Sequence, residues 1–358
     1  MTIQKTSLYE EHVALKAKMA PFAGFDMPLQ YSSVKEEVLA VRNSAGIFDV
    51  SHMGEFFVEG PDATAFVDFL ITNDFQNAEM QKAVYSPLCR EDGTVIDDLI
   101  AYKIGAEKIL ICVNASNIEK DWNWMSSKVA GFNCKLTNKS NEYSLIAIQG
   151  PDSEKMLKDA GINIPASFPY YSIAETSYES EKLIVARTGY TGEDGFEVFS
   201  SHAFAHSFWK KLLTLGAKPC GLAARDVLRL EVCYPLYGHE LNDEVTPLDA
   251  GLAWTVKLTK DKFIGKEALT SYSTKFQLVR LSLEKAIPRE GYDILDENLQ
   301  KIGKVTSGTM SVISGKGVAM GLVEKAKNPK DKKYLINIRN NNYEATFHSK
   351  AFVTGGHK

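Results

Sequence analysis

From Phe276 onward the chain reads as one short strand after another. Apolar, β-branched runs at residues 278–283, 294–295, 301–306, 318–322, 335–338 and 343–348 are separated by Gly and Pro turns. Evenly spaced short strands with no helical period between them predict a small all-β barrel or sandwich. The chain before them interleaves helical and strand patterns. The expectation is therefore an α+β protein divided near residue 275, with a larger domain over 1–275 and an all-β domain over 276–358. The 358 residues amount to two or three domains by the usual size prior.

The larger part reads, in order, as a short helix at 8–13, an ordered loop at 19–31, and a helix capped at Ser32 or Ser33, carrying Glu36 and Glu37 and ending near Gly46. A strand at 47–53 carries His52, which is more often a satisfied core histidine than a base. A strand at 55–59, a helix at 62–70, a hairpin of 82–88 and 94–102, a strand at 108–113 and a helix at 119–129 follow. That order resembles a split βαβ unit over roughly 55–140. Beyond it come strands at 143–148, 183–188 and 196–199, helices at 152–160 and 203–215, and a charged helix at 223–233. Arg225, Asp226, Arg229 and Glu231 on the last could simply lace that helix with its own ion pairs.

Within the hairpin, Gly93-Thr94-Val95-Ile96-Asp97-Asp98-Leu99-Ile100-Ala101-Tyr102 places two adjacent carboxylates in an apolar strand. Neighbouring strand residues point to opposite faces, so Asp97 and Asp98 cannot share one. Alternation puts Val95 with Asp97, and Ile96, Ile100 and Tyr102 with Asp98. A carboxylate on an Ile and Tyr face must be hydrogen-bonded, paired or held for chemistry; satisfaction by turn amides is the bland alternative. Glu197, between Phe196 and Val198, repeats the pattern after a Gly-rich turn, Gly189 to Gly195. That turn has neither the spacing nor the following helix of a dinucleotide fingerprint.

Composition removes several function classes. A net charge of -4 gives no general attraction to nucleic acid, and no run of 18 or more apolar residues suggests a membrane span. Met1 to Thr6 carries no apolar signal core or Arg-rich presequence, which points to a cytoplasmic chain. The five cysteines are scattered without a CxxC, as reduced packing residues would be. His202 and His206 stand four apart, but interleaved Phe204, Phe208 and Trp209 make a plain amphipathic helix the better reading, so no metal is expected.

Ser7-Leu8-Tyr9-Glu10-Glu11-His12, Met27-Pro28-Leu29-Gln30-Tyr31, Phe48-Asp49-Val50-Ser51-His52-Met53, Ile96-Asp97-Asp98-Leu99, Ala147-Ile148-Gln149-Gly150-Pro151, Thr188-Gly189-Tyr190-Thr191-Gly192-Glu193-Asp194-Gly195, Cys220-Gly221-Leu222, Ala224-Arg225-Asp226 and Thr306-Ser307-Gly308 together resemble the aminomethyltransferase (T-protein) family of the glycine cleavage system, nearly end to end. The resemblance implies a three-lobed folate-binding architecture, including a ferredoxin-like split βαβ lobe, with a C-terminal β-barrel. It implies tetrahydrofolate as substrate and carrier, lipoylated H-protein as partner, and a functional link to P-protein and L-protein. Asp98 becomes the catalytic carboxylate beside folate N10. The folate pocket falls on Met53, Tyr85, Ile100, Tyr102, Asn114, Tyr170, Tyr190, Glu197, Arg225 and Tyr234. The family's tail reaches the cavity, but Phe352 to Lys358 lacks the Arg of some members. Cys233-Tyr234-Pro235-Leu236-Tyr237-Gly238-His239-Glu240 lacks the Lys-Gly-Cys-Tyr-x-Gly-Gln-Glu pattern of the iron–sulfur and tRNA-modifying relatives, and the length leaves no room for the flavin domain of the demethylating oxidases. A folate-binding scaffold, which would not require Asp98, remains the alternative from another class.

Overall fold

The strands after Phe276 close on themselves. In the computed structural model, which describes residues 3–331 and 333–356, Phe276–Leu283, Asp293–Leu295, Lys301–Met310, Gly317–Glu324, Tyr334–Ile338 and Asn341–Phe347 form a closed six-stranded barrel. Every paired neighbour is antiparallel. Closure removes exposed edges, and Val279, Leu281, Ile294, Val305, Val323 and Ile336 fill the interior.

Two larger sheets precede it. One has six strands in the order Ile173–Tyr178, Glu181–Ala186, Gly195–Ser200, Ser144–Gln149, Gly46–Asp49, Lys218–Pro219. Phe196 and Val198 point to one face, where Phe208, Trp209 and Leu212 of the helix His202–Thr214 cover them. Phe199 belongs to the opposite face. The other sheet has five strands in the order Lys82–Cys89, Val95–Gly105, Lys108–Val113, Gly54–Glu59, Lys135–Asn138. Its outer face buries Phe56, Val58, Ile109 and Ile111 under the helix Ala63–Leu70. Its inner face packs Phe57, Tyr102 and Leu110 into the same cluster as Phe199 and Ile184 of the first sheet. The site lies along that shared face. The split βαβ arrangement is found in Lys108–Val113, the helix Ile118–Lys128 and Lys135–Asn138: both strands run antiparallel to Gly54–Glu59 and therefore parallel to each other.

Three details differ from the sequence reading. Residues 19–31 are a β-hairpin rather than a loop, Lys18–Phe22 against Phe25–Gln30, turning through Ala23 and Gly24 with φ of 49° and 84°. Two left-handed central residues suit the twist of a two-residue hairpin turn; Pro21 and Pro28 hid the strands, since proline is normally an edge or bulge residue. Lys135–Asn138 and Ile173–Tyr178 are end strands of their sheets whose polar alternation gave no strand signal. The strand expected over 47–53 stops at Asp49, whose carboxylate accepts from the Ser51 amide at 2.9 Å and bends the chain.

The helix Leu222–Glu231 joins the two parts. One ion pair lies along it, Arg229 to Asp226 at 2.8 Å, but its buried charges mostly leave the helix. Arg229 also reaches Glu240 at 3.0 Å and the barrel's Ser307 hydroxyl at 2.8 Å. Glu231 accepts from Arg42 at 2.8 Å with one oxygen. With the other it accepts from Ser311 Oγ and the Val312 amide, both at 2.9 Å.

Candidate active site

Between the two sheets and the barrel lies a cavity of ≈ 1210 Å³. Asp98, Ile100 and Tyr102 line it from one strand and Tyr85 from its hairpin partner. Asn114 follows the next strand, and Met53 precedes Gly54–Glu59. Glu197 enters from the other sheet, Tyr190 from the Gly-rich turn and Tyr170 from the loop before Ile173. Arg225 and Tyr234 come from the joining helix and the residues after it. The fold thus brings Asp98 and the ten residues expected at the folate pocket to the lining of one cavity. The barrel side adds Leu278, Arg280 and residues 349–351. Of the tail, His357 and Lys358 lie outside the described residues.

At one end, Asp98 Oδ2 accepts from the Tyr85 hydroxyl at 3.0 Å and Oδ1 from Asn114 Nδ2 at 2.9 Å. Both donors are neutral. Burial, and then the charge of Asp97 next to it, push the Asp98 carboxyl up to about 7. Asp97 does not reach the cavity; it is fully buried and accepts from the Asn114 amide, Asn114 Nδ2 and Asn117 Nδ2 at 3.1, 2.9 and 2.6 Å. The strand reading needs one correction. The register slips opposite Leu88 and Cys89, so Asp97 pairs with Leu88 and Val95 with Cys89. Ile96 is the extra residue of a β-bulge, and it packs with Leu99 and Ala101 on the helix side rather than with Asp98. Past the bulge, alternation holds for Asp98, Ile100 and Tyr102.

At the other end, Glu197 Oε2 accepts from the Thr188 hydroxyl and from Tyr102 at 3.4 Å. Tyr102 stands four residues beyond Asp98, about 13 Å along an extended strand. The Arg225 guanidinium lies over the Tyr190 ring, 4.9 Å from its centre. Its Nη1 is buried with no hydrogen-bond partner among the described residues. Tyr190 donates to the Pro235 carbonyl, and its ring lies 5.9 Å from that of Tyr234. The Tyr170 and Tyr234 hydroxyls share a hydrogen bond.

Several wall residues escaped the sequence reading. Tyr171 lines the cavity beside Tyr170, its ring 4.8 Å from its neighbour's. His52 presents its ring to Phe22 at 5.6 Å; burial lowers its pKa to about 4, so it is neutral at pH 7. Trp254 stands at the rim, 59% exposed, stacked on Tyr85 at 6.1 Å and 25°. His52 sits in a motif stretch quoted above, Tyr171 is adjacent to the expected Tyr170, and Trp254 comes from a loop without a local pattern. Among the described residues no group of three or more His, Cys, Asp or Glu is placed to hold a metal ion, and no helix is long and apolar enough to cross a membrane.

Residues 8–260 match the family model of the GCVT N-terminal domain, and residues 277–353 that of the glycine cleavage T-protein C-terminal barrel domain. The chain belongs to the glycine cleavage T-protein family. Relatives in that family include the aminomethyltransferase of Thermosipho melanesiensis, 49% identical over 89% of both chains, and that of Thermotoga maritima, 46% identical over 90% of both. The crystal structure of glycine cleavage system aminomethyltransferase T from Bartonella henselae superposes with a TM-score of 0.93 at 32% identity, covering 99% of each chain. The T-protein fold and its barrel are therefore those expected from the sequence. The activity is that of an aminomethyltransferase of the glycine cleavage system, a tetrahydrofolate-dependent transferase.

Proposed function

We propose that the cavity takes tetrahydrofolate with the pterin at the Glu197 end and N10 beside Asp98. There the enzyme transfers the methylene of an aminomethyl group on the lipoyl arm of H-protein. The products are 5,10-methylenetetrahydrofolate, ammonia and dihydrolipoyl H-protein. One observation carries the reading. A carboxylate faced by neutral donors and poised near neutrality stands at one end of a tyrosine-walled cavity, and a second carboxylate stands about one strand length away. A pterin offers an amino group and a ring N–H side by side, which a carboxylate accepts together; tyrosines supply flat apolar walls with polar tips.

Loss of ammonia from S–CH2–NH3+ breaks the C–N bond and leaves an electrophilic methylene. The two folate amines N5 and N10 each bond to it, and the C–S bond breaks. The two N–H protons go to the departing thiolate and to ammonia. Asp98 hydrogen-bonds N10, orients it and stabilises the positive charge that develops on it. Asn114 and Tyr85 hold the carboxylate in position, and Arg225 and the tyrosines hold the rest of the ligand. P-protein and L-protein act before and after this step in the same system, and the cytoplasm is the compartment that fits the sequence.

The test is Asp98→Asn, which keeps size and removes charge. Folate should still bind, and turnover should fall by roughly 10²-fold or more, the scale of one electrostatic group acting in the transition state. A folded, folate-binding variant with wild-type turnover would instead refute the catalytic role of Asp98.

A further inference from the structure

Behind Asp98, away from the cavity, lies a carboxyl group that the proposed chemistry does not use. Asp121, in the first turn of the helix Ile118–Lys128, is fully buried. Neither of its carboxyl oxygens meets an amide, a hydroxyl or an amine among the described residues. What it does face, within hydrogen-bonding reach, is the carboxyl group of Asp97. Two carboxyl groups can share a hydrogen bond only when one of them keeps its proton. The donors decide which. Asp97 already accepts from three N–H groups of Asn114 and Asn117, an arrangement that suits an anion. Asp121 has no such donors among the described residues; burial, then the charge of Asp97, push it well above the usual carboxylate range, and the nearby charge of Lys120 offsets this only in part.

The same Asn114 Nδ2 that binds Asp97 Oδ1 also binds Asp98 Oδ1, each at 2.9 Å. Asp121, Asp97, Asn114 and Asp98 therefore form one chain running from the helix to the cavity wall. We propose that Asp121 is a positioning residue for this site: as a neutral carboxylic acid it donates to Asp97, fixes the buried negative charge there, and through Asn114 holds Asp98 in place. This rests on the reading of Asp98 as the carboxylate at the reacting amine.

The other ionisable groups around the chain leave the assignment intact. Lys120, on the same helix as Asp121, turns its amine to the Tyr237 hydroxyl at 2.6 Å and to Asp243 at 3.6 Å. Tyr85, Tyr171 and Tyr190 face Asp98 from the cavity side; burial holds each phenol in its neutral form.

Three variants separate the alternatives through the pH profile of tetrahydrofolate-dependent aminomethyl transfer. Asp97→Asn removes the charge beside Asp98 and should move the acid limb to lower pH. Asp121→Asn keeps a neutral donor, so it should rescue both turnover and the position of the acid limb. Asp121→Leu takes the donor away; turnover should fall roughly tenfold or more, as a displaced catalytic group costs, with the acid limb shifted and the KM for folate little changed. The proposal is overturned if Asp121→Asn lowers the acid limb as Asp97→Asn does, because Asp121 would then carry charge. It is also overturned if a folded Asp121→Leu protein keeps the wild-type profile. Should Asp121→Leu fail to fold, carboxyl-carbon NMR of protein labelled only at aspartate decides, a labelling that leaves out the buried Glu55. The resonance lost in Asp121→Asn should lie at the protonated position at pH 7, and an ionised position refutes the proposal. An active Asp98→Asn protein would sink the reading of Asp98, whereas the NMR result reports on Asp121 alone.

Discussion

At the scale of single residues, the role proposed for Asp98 trades stability for reactivity, and the trade has a pH signature. Its ordinary carboxyl value is 3.8 and the folded site raises it to about 7. Between those values the folded chain holds a proton that the unfolded chain has lost, so ionisation of Asp98 costs stability as pH rises through about 7. Asp98→Asn does not titrate. Its stability should match the wild type near pH 4 and exceed it above pH 7 by on the order of 1–2 kcal/mol, less than full linkage gives because the group borders solvent in the cavity. Thermal melts across that range check the sign, and an Asn variant less stable at pH 8 would contradict it. Under the proposed mechanism turnover should climb through the same window, as the charged form accumulates. Glu197→Gln tests the far end. With the pterin placed as proposed, it leaves one acceptor where two donors arrive, and calorimetry should find tetrahydrofolate binding weaker by about 1–3 kcal/mol.

At the scale of elements, the joining helix Leu222–Glu231 is seated by its cap. Gly221 donates its amide to Glu37 at 2.8 Å, and a Cβ there would stand 2.3 Å from the Leu29 carbonyl carbon, a backbone atom that cannot yield. Gly221→Ala should tilt the helix that carries Arg225 and Arg229. The expected loss is about 1–3 kcal/mol by denaturation, with weaker folate binding alongside; wild-type behaviour in both would show that the cap can adjust. The elements themselves were largely legible before the structure. Glu197 and Asp98 announced themselves because a carboxylate breaks an apolar alternation. The bulge at Ile96 did not, because its cause is a slip against Leu88 and Cys89 that only the partner strand defines. The hairpin at 18–30 was masked by its prolines. Asp121 gave no signal either: an acidic residue in the first turn of a helix is ordinary on a surface, and burial alone makes it unusual.

At the scale of the whole molecule, the barrel is held to the sheets by the buried side chains of Arg229 and Glu231. Glu231→Ala removes the acceptor shared by Arg42, Ser311 and Val312. Arg42 keeps Glu193 at 2.9 Å, so the loss is that of the hydrogen bonds to Glu231 and should cost about 1–3 kcal/mol. Because the barrel also walls the cavity, saturating folate should recover part of the lost melting temperature. A Glu231→Ala protein of unchanged stability would show that the barrel docks without the Glu231 contacts. The stacked pair at the rim has a practical consequence. The other tryptophans are fully or partly buried in the core clusters, whereas Trp254 stands in water against Tyr85, itself bonded to Asp98. The enzyme therefore carries its own optical reporter: folate arriving at the Asp98 end should change the emission of one indole, and Trp254→Phe should silence that signal while leaving the bulk of the protein's fluorescence in place.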